Sequence, residues 1–393
     1  MTERRMTSGN EYKNRRTVWA VLLMAVLCMG LLAGCGQKAD TADGGAPEIE
    51  GLTFDHEMEL AYADQFHVYY YNDDYEVITV EGGEDYMLIP EGGEIPDGTP
   101  EEMVVIEKPV DNIYLAASSA MALFKSMDAL DTIAFSGTKA DGWYIEEAAE
   151  AMNSGKIAFA GKYSSPDYEM LLDEGCDLAI ESTMITHAPE VKEKIEELGI
   201  PVFVDHSSYE SHPLGRVEWI RLYGVLTDHE EQADAFFDEQ AKIIEEMADI
   251  EDTGKTVAFF FVNSTGQVVV RAGDDYIPHM IDIAGGEYIF PDLVNEDSEM
   301  ASMKISMEEF YAGAVDADYL IYNASIESPL TSLDQLYDKS DAFREFKAVK
   351  EGHVYTTDKY LYQATDITGE LIRDIHTMLT EDGGEMTFLT KVE

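Results

Sequence analysis

SSYESHPLGRVEWIRLYGVLTDHEEQADAFFDEQAKIIEEMAD, residues 207–249, lies between two halves of the chain and reads as two consecutive helices. Thr227 followed three residues later by Glu230 has the form of a capping box, which marks the start of the second helix. Beyond it Ala233, Phe236, Phe237, Ile244 and Met247 fall on one helical face, with acidic residues around the other. A helix over residues 228–249 would be about 33 Å long at 1.5 Å per residue. A helix of that length between two similar halves predicts a strut between two lobes.

The flanks support that reading. Residues 67–71 and 75–80 are strand-like runs split by Asn72-Asp73-Asp74, a hairpin signal, and residues 86–90 form a third strand. From Val104 onward strands alternate with helices, as expected for βαβ units. Strands are expected at 112–116, 133–136, 178–180 and 201–204. Helices are expected at 118–127, 144–152, 167–173 and 190–198. After the linking stretch the rhythm resumes, with strands at 256–263, 268–271, 319–322 and 353–356, and helices at 277–284, 307–312, 340–346 and 368–378. The halves also rhyme: Asp167-Tyr-Glu-Met-Leu-Leu leads to Cys176-Asp-Leu-Ala-Ile, and Met307-Glu-Glu-Phe-Tyr leads to Ala317-Asp-Tyr-Leu-Ile. The expected fold is α/β, with two lobes built on central, largely parallel sheets and joined by a single long α-helix. The boundaries are 51–226 for the first lobe, 227–250 for the connecting helix and 251–393 for the second lobe.

A net charge of −53 argues against a nucleic-acid partner and against electrostatic docking on anionic lipid. It suits partners that present arginines, and cationic or metal-bearing ligands. The amino end is different. Arg4, Arg5, Lys13, Arg15 and Arg16 precede an apolar run over 18–33 and then Leu32-Ala33-Gly34-Cys35. A basic lead-in, a short apolar segment and small residues before a cut describe a secretory signal over 1–34. The cysteine after Ala-Gly resembles a bacterial lipobox, which implies that Cys35 is lipidated and becomes the mature amino terminus. Residues 35–50 are small and polar and read as a flexible tether. With Cys28 lost in the leader and Cys35 acylated, Cys176 stands alone and no intramolecular disulfide can form. The lipid anchor alone would hold the protein on the outer face of the bacterial cell membrane.

From Met103 to about Met378 the chain resembles the substrate-binding lipoproteins of ABC importers, in the helical-backbone class that delivers iron-siderophores, haem and cobalamin. The marks are Ser165-Pro-Asp-Tyr-Glu-Met-Leu-Leu before Cys176-Asp-Leu-Ala-Ile, Gly199-Ile-Pro-Val-Phe-Val, Gly285-Gly-Glu, and Ile305-Ser-Met-Glu-Glu-Phe before Asp316-Ala-Asp-Tyr-Leu-Ile. One departure is plain: the proline usual before Asp at these strand starts is Cys176 in one half and Ala317 in the other.

The resemblance implies a metal chelate bound between the lobes, and a permease dimer with its ATPase as partner. Ligands of open α/β sheets lie at the carboxyl ends of strands. The candidate lining residues are therefore Lys139, Trp143, Tyr144, Met184, His187, Tyr209, Glu210, His212 and Arg216 in the first lobe, and Arg271, Tyr276, Tyr360 and Tyr362 in the second. His187, Glu210 and His212 are residue types that ligate transition metals, but their spacing is not diagnostic, and no cofactor or resident metal is expected. In the family one glutamate on each lobe pairs with permease arginines. Glu169 fits the first lobe and Glu308 the second, with Glu309 and Glu287 as rivals.

An enzyme is not expected. There is no G-x-S-x-G, no Walker loop and no G-x-G-x-x-G after a strand, and His229-Glu230 is not H-E-x-x-H because residue 233 is Ala. A lipid-anchored sensor or enzyme on the same bilobal fold is the alternative.

Overall fold

The structure, a computed structural model, describes residues 45–247, 252–294, 302–380 and 384–393. The secretory signal and the lipobox lie outside the described residues, as does most of the tether. Residues 45–48 belong to a unit with the preceding chain, and everything from Ile49 onward forms a second compact unit, to which the rest of the description applies.

The second unit opens with a sheet. Strands Phe54–Glu57, Phe66–Tyr71, Glu76–Val80 and Asp85–Pro90 pair antiparallel in sequence order, and Val104–Lys108 adds in parallel to the last. The hairpin turn Asn72–Asp74 holds Asp73 and Asp74 at φ 60° and 61°. Aspartate tolerates this left-handed conformation because its short carboxylate can bond the local backbone. Phe66, Val68, Ile78, Val80, Tyr86 and Leu88 point inward and share a core with the first lobe, where Phe66 meets Trp219 edge to face at 5.0 Å.

The first-lobe sheet is wholly parallel, in the order Val202–Asp205, Leu178–Ser182, Ile113–Leu115, Ile133–Ser136, Ala158–Phe159. Its strands are apolar on both faces. Ile113, Leu115, Leu178, Ile180 and Phe203 enter one core, and Tyr114, Phe135, Ala179, Val202 and Val204 enter the other. That is the pattern of a sheet covered on both sides. The earliest strand sits in the middle, so the winding direction reverses beside it. A crevice is expected outside the carboxyl ends of Ile113–Leu115 and Leu178–Ser182.

The second-lobe sheet runs Ser302–Ile305, Val268–Arg271, Lys255–Val262, Tyr319–Tyr322, Val354–Thr357, Leu389–Lys391, and Gly286–Tyr288 pairs with one end of Lys255–Val262. Its central strands, Lys255–Val262, Tyr319–Tyr322 and Val354–Thr357, are parallel. Val268–Arg271, Ser302–Ile305 and Leu389–Lys391 are antiparallel additions. Stacked phenylalanines fill the core, with the Phe260 ring 4.6 Å from Phe310 and 5.5 Å from Phe343.

The linking stretch departs from expectation. Thr227 does not cap the second helix: it is the last residue of the first, Pro213–Thr227, and its hydroxyl donates to the Tyr223 carbonyl at 2.8 Å. A threonine hydroxyl in the last turn can bond back to the i−4 carbonyl, and it is then no longer available to cap the helix that follows. Asp228 then turns left-handed (φ 56°, ψ 38°), and the second helix, Glu230–Glu245, starts after His229 without a side-chain cap. At 16 residues this helix is about 24 Å long, shorter than the strut expected from sequence. The two helices pack closely at Gly224, where an added Cβ would come within 2.9 Å of the Ala233 methyl. Ala233, Phe237, Ile244 and Met247 are buried as the periodicity predicts, and Phe236 is half-buried. Gln240 joins them, accepting the Gly369 amide of the second-lobe helix Thr368–Thr380 at 3.0 Å.

The helix expected over 340–346 is instead a 3-10 turn, Asp341–Glu345, between short helices Leu333–Lys339 and Lys347–Glu351. Phe343 of the turn and Phe346, the extended residue that ends it, are both buried.

Candidate functional site

Two clusters bridge the lobes. The first forms at the start of helix Pro213–Thr227. His212 caps that helix, its Nδ1 accepting the Leu214 amide at 3.1 Å, and its ring stacks on Tyr62 at 4.5 Å. Burial, aided by neighbouring His279, holds its pKa below the usual histidine value. One turn on, the Arg216 guanidinium lies 4.1 Å from the ring of Tyr276, which opens the second-lobe helix Tyr276–Ile283. Arg271 approaches the same ring at 5.3 Å. Asp275 grips Arg271 through two bonds of 2.7 and 2.6 Å, and the Ser302 hydroxyl accepts a third at 3.2 Å. Arg216 forms no ion pair among the described residues, so stacking leaves its planar edge of N–H donors available to an acid group. Nearby, Nδ1 of His279 lies 2.8 Å from the Ser211 carbonyl oxygen, which ties the lobes together.

The second cluster joins the loops after strands Ile133–Ser136 and Val354–Thr357. Gln363 accepts the Tyr144 amide and donates to the Gly142 carbonyl, both at 2.8 Å. Tyr144 and Tyr362 are exposed and meet edge to face at 6.2 Å. The Tyr360 hydroxyl donates to Asp366 at 3.4 Å, and Asp366 also pairs with Lys125 of the first lobe at 2.6 Å. The Thr365 hydroxyl donates to the Ser119 carbonyl at 3.1 Å. Lys139 is exposed, with its ammonium 5.4 Å from the Phe159 ring. Met184 and His187 are exposed on the 3-10 turn Thr183–His187, directly after the switch-point strand.

Three of the sequence-predicted residues are otherwise occupied. Trp143 is buried, and its indole N–H donates to the Ser136 hydroxyl at 3.2 Å, so it supports its loop from beneath. Tyr209 packs on His206 and lines a cavity of about 670 Å³ walled by Asp64, Gln65, Glu81, Gly82, Thr186 and His206, none of them from the second lobe. Glu210 is buried and accepts the amides of Asp64 and Gln65 at 3.1 Å each and the Trp219 indole N–H at 2.9 Å. With its oxygens held by these donors, it is a clamp on the chain rather than a ligand group. Among the described residues no three His, Cys, Asp or Glu side chains come together as a metal-binding group.

A family model described as "Periplasmic binding protein" matches residues 126–361, more than half of the chain. The chain belongs to the periplasmic binding protein family. Among its relatives, an uncharacterized lipoprotein of Methanocaldococcus jannaschii is 25% identical over 394 residues, 92% of each chain. Among solved structures, a periplasmic heme binding protein from Pseudomonas aeruginosa superposes with a TM-score of 0.56 at 13% identity, over 72% of this chain and 98% of that one. A petrobactin-binding protein from Bacillus subtilis gives 0.56 at 16% identity, over 70% and 94%. These structures share the bilobal α/β fold. The location of a periplasmic binding protein is extracytoplasmic; among the described residues no helix is long and apolar enough to cross a membrane.

In this periplasmic binding protein the two acidic helices singled out by their rhyme are built alike. Asp167 caps Tyr168–Asp173 by accepting the Met170 amide at 3.1 Å, and Ser306 caps Met307–Ala314 by accepting the Glu309 amide at 3.2 Å. Glu169 and Glu308 are each the second residue after the cap, and both are exposed. Glu309 is committed to a capping box, accepting the Ser306 amide at 2.8 Å, and exposed Glu287 sits on strand Gly286–Tyr288.

Sequence reasoning passed over Gln363, Asp366, His279 and Tyr62, whose roles depend on contacts across the fold and leave no local pattern. It also passed over Glu181, the penultimate residue of the switch-point strand. Glu181 is fully buried, neither of its carboxylate oxygens has a hydrogen-bond partner among the described residues, and burial pushes its pKa up to about 8. Cys176 is buried, and its thiol is pushed up to about 12 by that burial, which leaves it unreactive.

Proposed function

We propose that this periplasmic binding protein captures a bulky metal chelate (an iron-siderophore, haem or a corrinoid) between its lobes and hands it to an ABC permease dimer driven by an ATPase. The observation that carries the ligand class is Arg216, without an ion pair among the described residues, over the Tyr276 ring at the lobe junction, a ring that Arg271 braces while itself held by Asp275. In a chain of net charge −53, a cationic aromatic corner suits a flat ligand bearing acid groups. Lys139, Tyr144, Met184, His187, Tyr360 and Tyr362 are the remaining candidate contacts. The test is a thermal-shift and native mass-spectrometry screen of the full chain against haem, ferric siderophores, corrinoids and the bare metal ions. A shift of several degrees with one chelate class is expected, and Arg216→Ala should weaken its binding at least tenfold. If only bare ions bind, the reading is wrong.

Glu169 and Glu308 are the proposed permease contacts. Their equivalent cap-relative positions favour them, while Glu309 is engaged in its own capping box. Reversing both charges should impair delivery and leave chelate affinity unchanged; loss of affinity would refute the docking role. Membrane attachment through lipidated Cys35 is part of the same proposal, supported by the Leu-Ala-Gly-Cys motif and by relatives that carry the name lipoprotein. Removing Cys35 should release the protein from the membrane fraction.

A further inference from the structure

The two docking helices agree in more than their acids. Counting from the caps Asp167 and Ser306, Leu171 and Phe310 are equivalent, and both are fully buried. The next residues, Leu172 and Tyr311, are also equivalent. Both are large side chains with a broad apolar part open to solvent, Leu172 at 52% and Tyr311 at 37% exposure, the Tyr311 ring resting one edge on buried Phe346 at 5.6 Å. Each stands three residues after its glutamate, hence on the same helical face one turn along. The helices then diverge, the second running two residues longer, so the likeness is confined to the turn that carries the acid and the apolar residue. A single exposed apolar side chain needs no explanation, and Ile95 and Ile326 are further examples. What calls for one is the recurrence of such a residue at the same place beside the same acid on both lobes.

We infer that Leu172 and Tyr311 are the apolar half of a two-point docking surface, each seated in a pocket of one permease subunit beside the basic group that receives Glu169 or Glu308. This rests on the delivery role proposed above. A second copy of this chain is disfavoured as the cover, because two bodies of net charge −53 repel each other, and anionic lipid is disfavoured for the same reason. A partner formed by two related subunits, each basic with an apolar recess, matches both the charge and the twofold repetition. The acid would steer and orient, and the apolar side chain would hold, as interface anchors do.

The test is photo-crosslinking of the full chain in its own host. Benzoylphenylalanine is introduced singly at positions 169, 172, 308 and 311, and at Ile326, another exposed apolar residue, at 71% exposure, as control. Crosslinks from 172 and 311 to the polytopic subunit of an ABC transporter, with none from 326, are expected. With the probe at 169, the double variant Leu172→Ser, Tyr311→Ser should cut the yield at least fivefold and leave the melting temperature unchanged. Crosslinks from 169 and 308 but not from 172 and 311 would overturn the inference while sparing the delivery role. No transporter crosslink from any of the four would remove both. Crosslinks from 172 and 311 to lipid or to a second copy of the chain would also overturn it.

Discussion

Glu218 and Glu210 show how much one side chain can organise. Glu218 is fully buried and receives the amides of Ala61, Tyr62 and Ala63, each at 2.8 Å, while Glu210 takes those of Asp64 and Gln65. Five consecutive backbone donors are thus satisfied by two carboxylates at the first-lobe end of the linking stretch, and they fasten the amino-terminal sheet to it. Glu218→Ala leaves three of those donors without their acceptor and should cost about 2–4 kcal/mol in urea unfolding, with Glu218→Gln recovering part. Glu181 calls for the opposite sign. In the folded chain it keeps its proton up to a pH of about 8, whereas the unfolded carboxyl releases it near 4.5. The folded state therefore holds more protons across that window. Stability falls as pH rises through it, by on the order of 1 kcal/mol per pH unit, and levels off above. Glu181→Gln should flatten the curve and raise stability at the alkaline end. An unchanged slope between about pH 5 and about pH 8 would mean that Glu181 is ionised throughout. Glu76 and Glu210, each pushed up to about 7 by burial, titrate in the same direction and would leave a residual slope.

At the scale of elements, the crossover is set by two residues. Gly224→Ala puts a methyl against Ala233 and the Glu230 backbone and should destabilise by about 1–3 kcal/mol in thermal melts. Asp228 holds the left-handed elbow between the helices. Asp228→Val should cost about 1–2 kcal/mol, while Asp228→Gly is tolerated. The elements themselves were largely legible. The apolar run from Leu178 and the period of the face that includes Ala233, Phe237 and Ile244 are local signals, and both identify their elements correctly. What was not legible is where one local preference yields to another. Thr227 has the composition of a cap, but its hydroxyl serves the helix behind it. The segment over 340–346 has helical composition, but Ser340 and Phe346 are both extended and leave only a 3-10 turn between them. Short strands such as Ser302–Ile305 and Leu389–Lys391 carry little pattern, because they are edge additions held by their neighbours. Side-chain type singled out Arg216, Arg271 and Tyr276, and the fold brings these three together. The candidate site was misread where backbone amides from a distant segment claimed the group, as with Glu210.

At the scale of the molecule, the lobes are held by the helix Glu230–Glu245 and by several side-chain ties: Gln363 to the Gly142–Tyr144 loop, Lys125 to Asp366, Thr365 to Ser119 and His279 to Ser211. Gln363→Ala removes the acceptor of the Tyr144 amide. Hydrogen exchange at that amide should accelerate at least tenfold, with the protection of helix Glu230–Glu245 unchanged. If the whole chain loosens instead, the ties and the core are one cooperative unit.

These ties also bear on how a loaded molecule is told from an empty one. Large hinge closure needs a few loop residues free to swing through φ and ψ, and here the described part of the crossover is a helix packed against both lobes. The span between the helices Tyr168–Asp173 and Met307–Ala314 is then nearly a fixed gauge. On the delivery reading, a partner that grips both ends meets almost the same span whether the cleft is full or vacant. Empty protein would compete for the same seat, and an excess of it should slow uptake. Occupancy would have to be read at the mouth of the cleft, from the cargo itself.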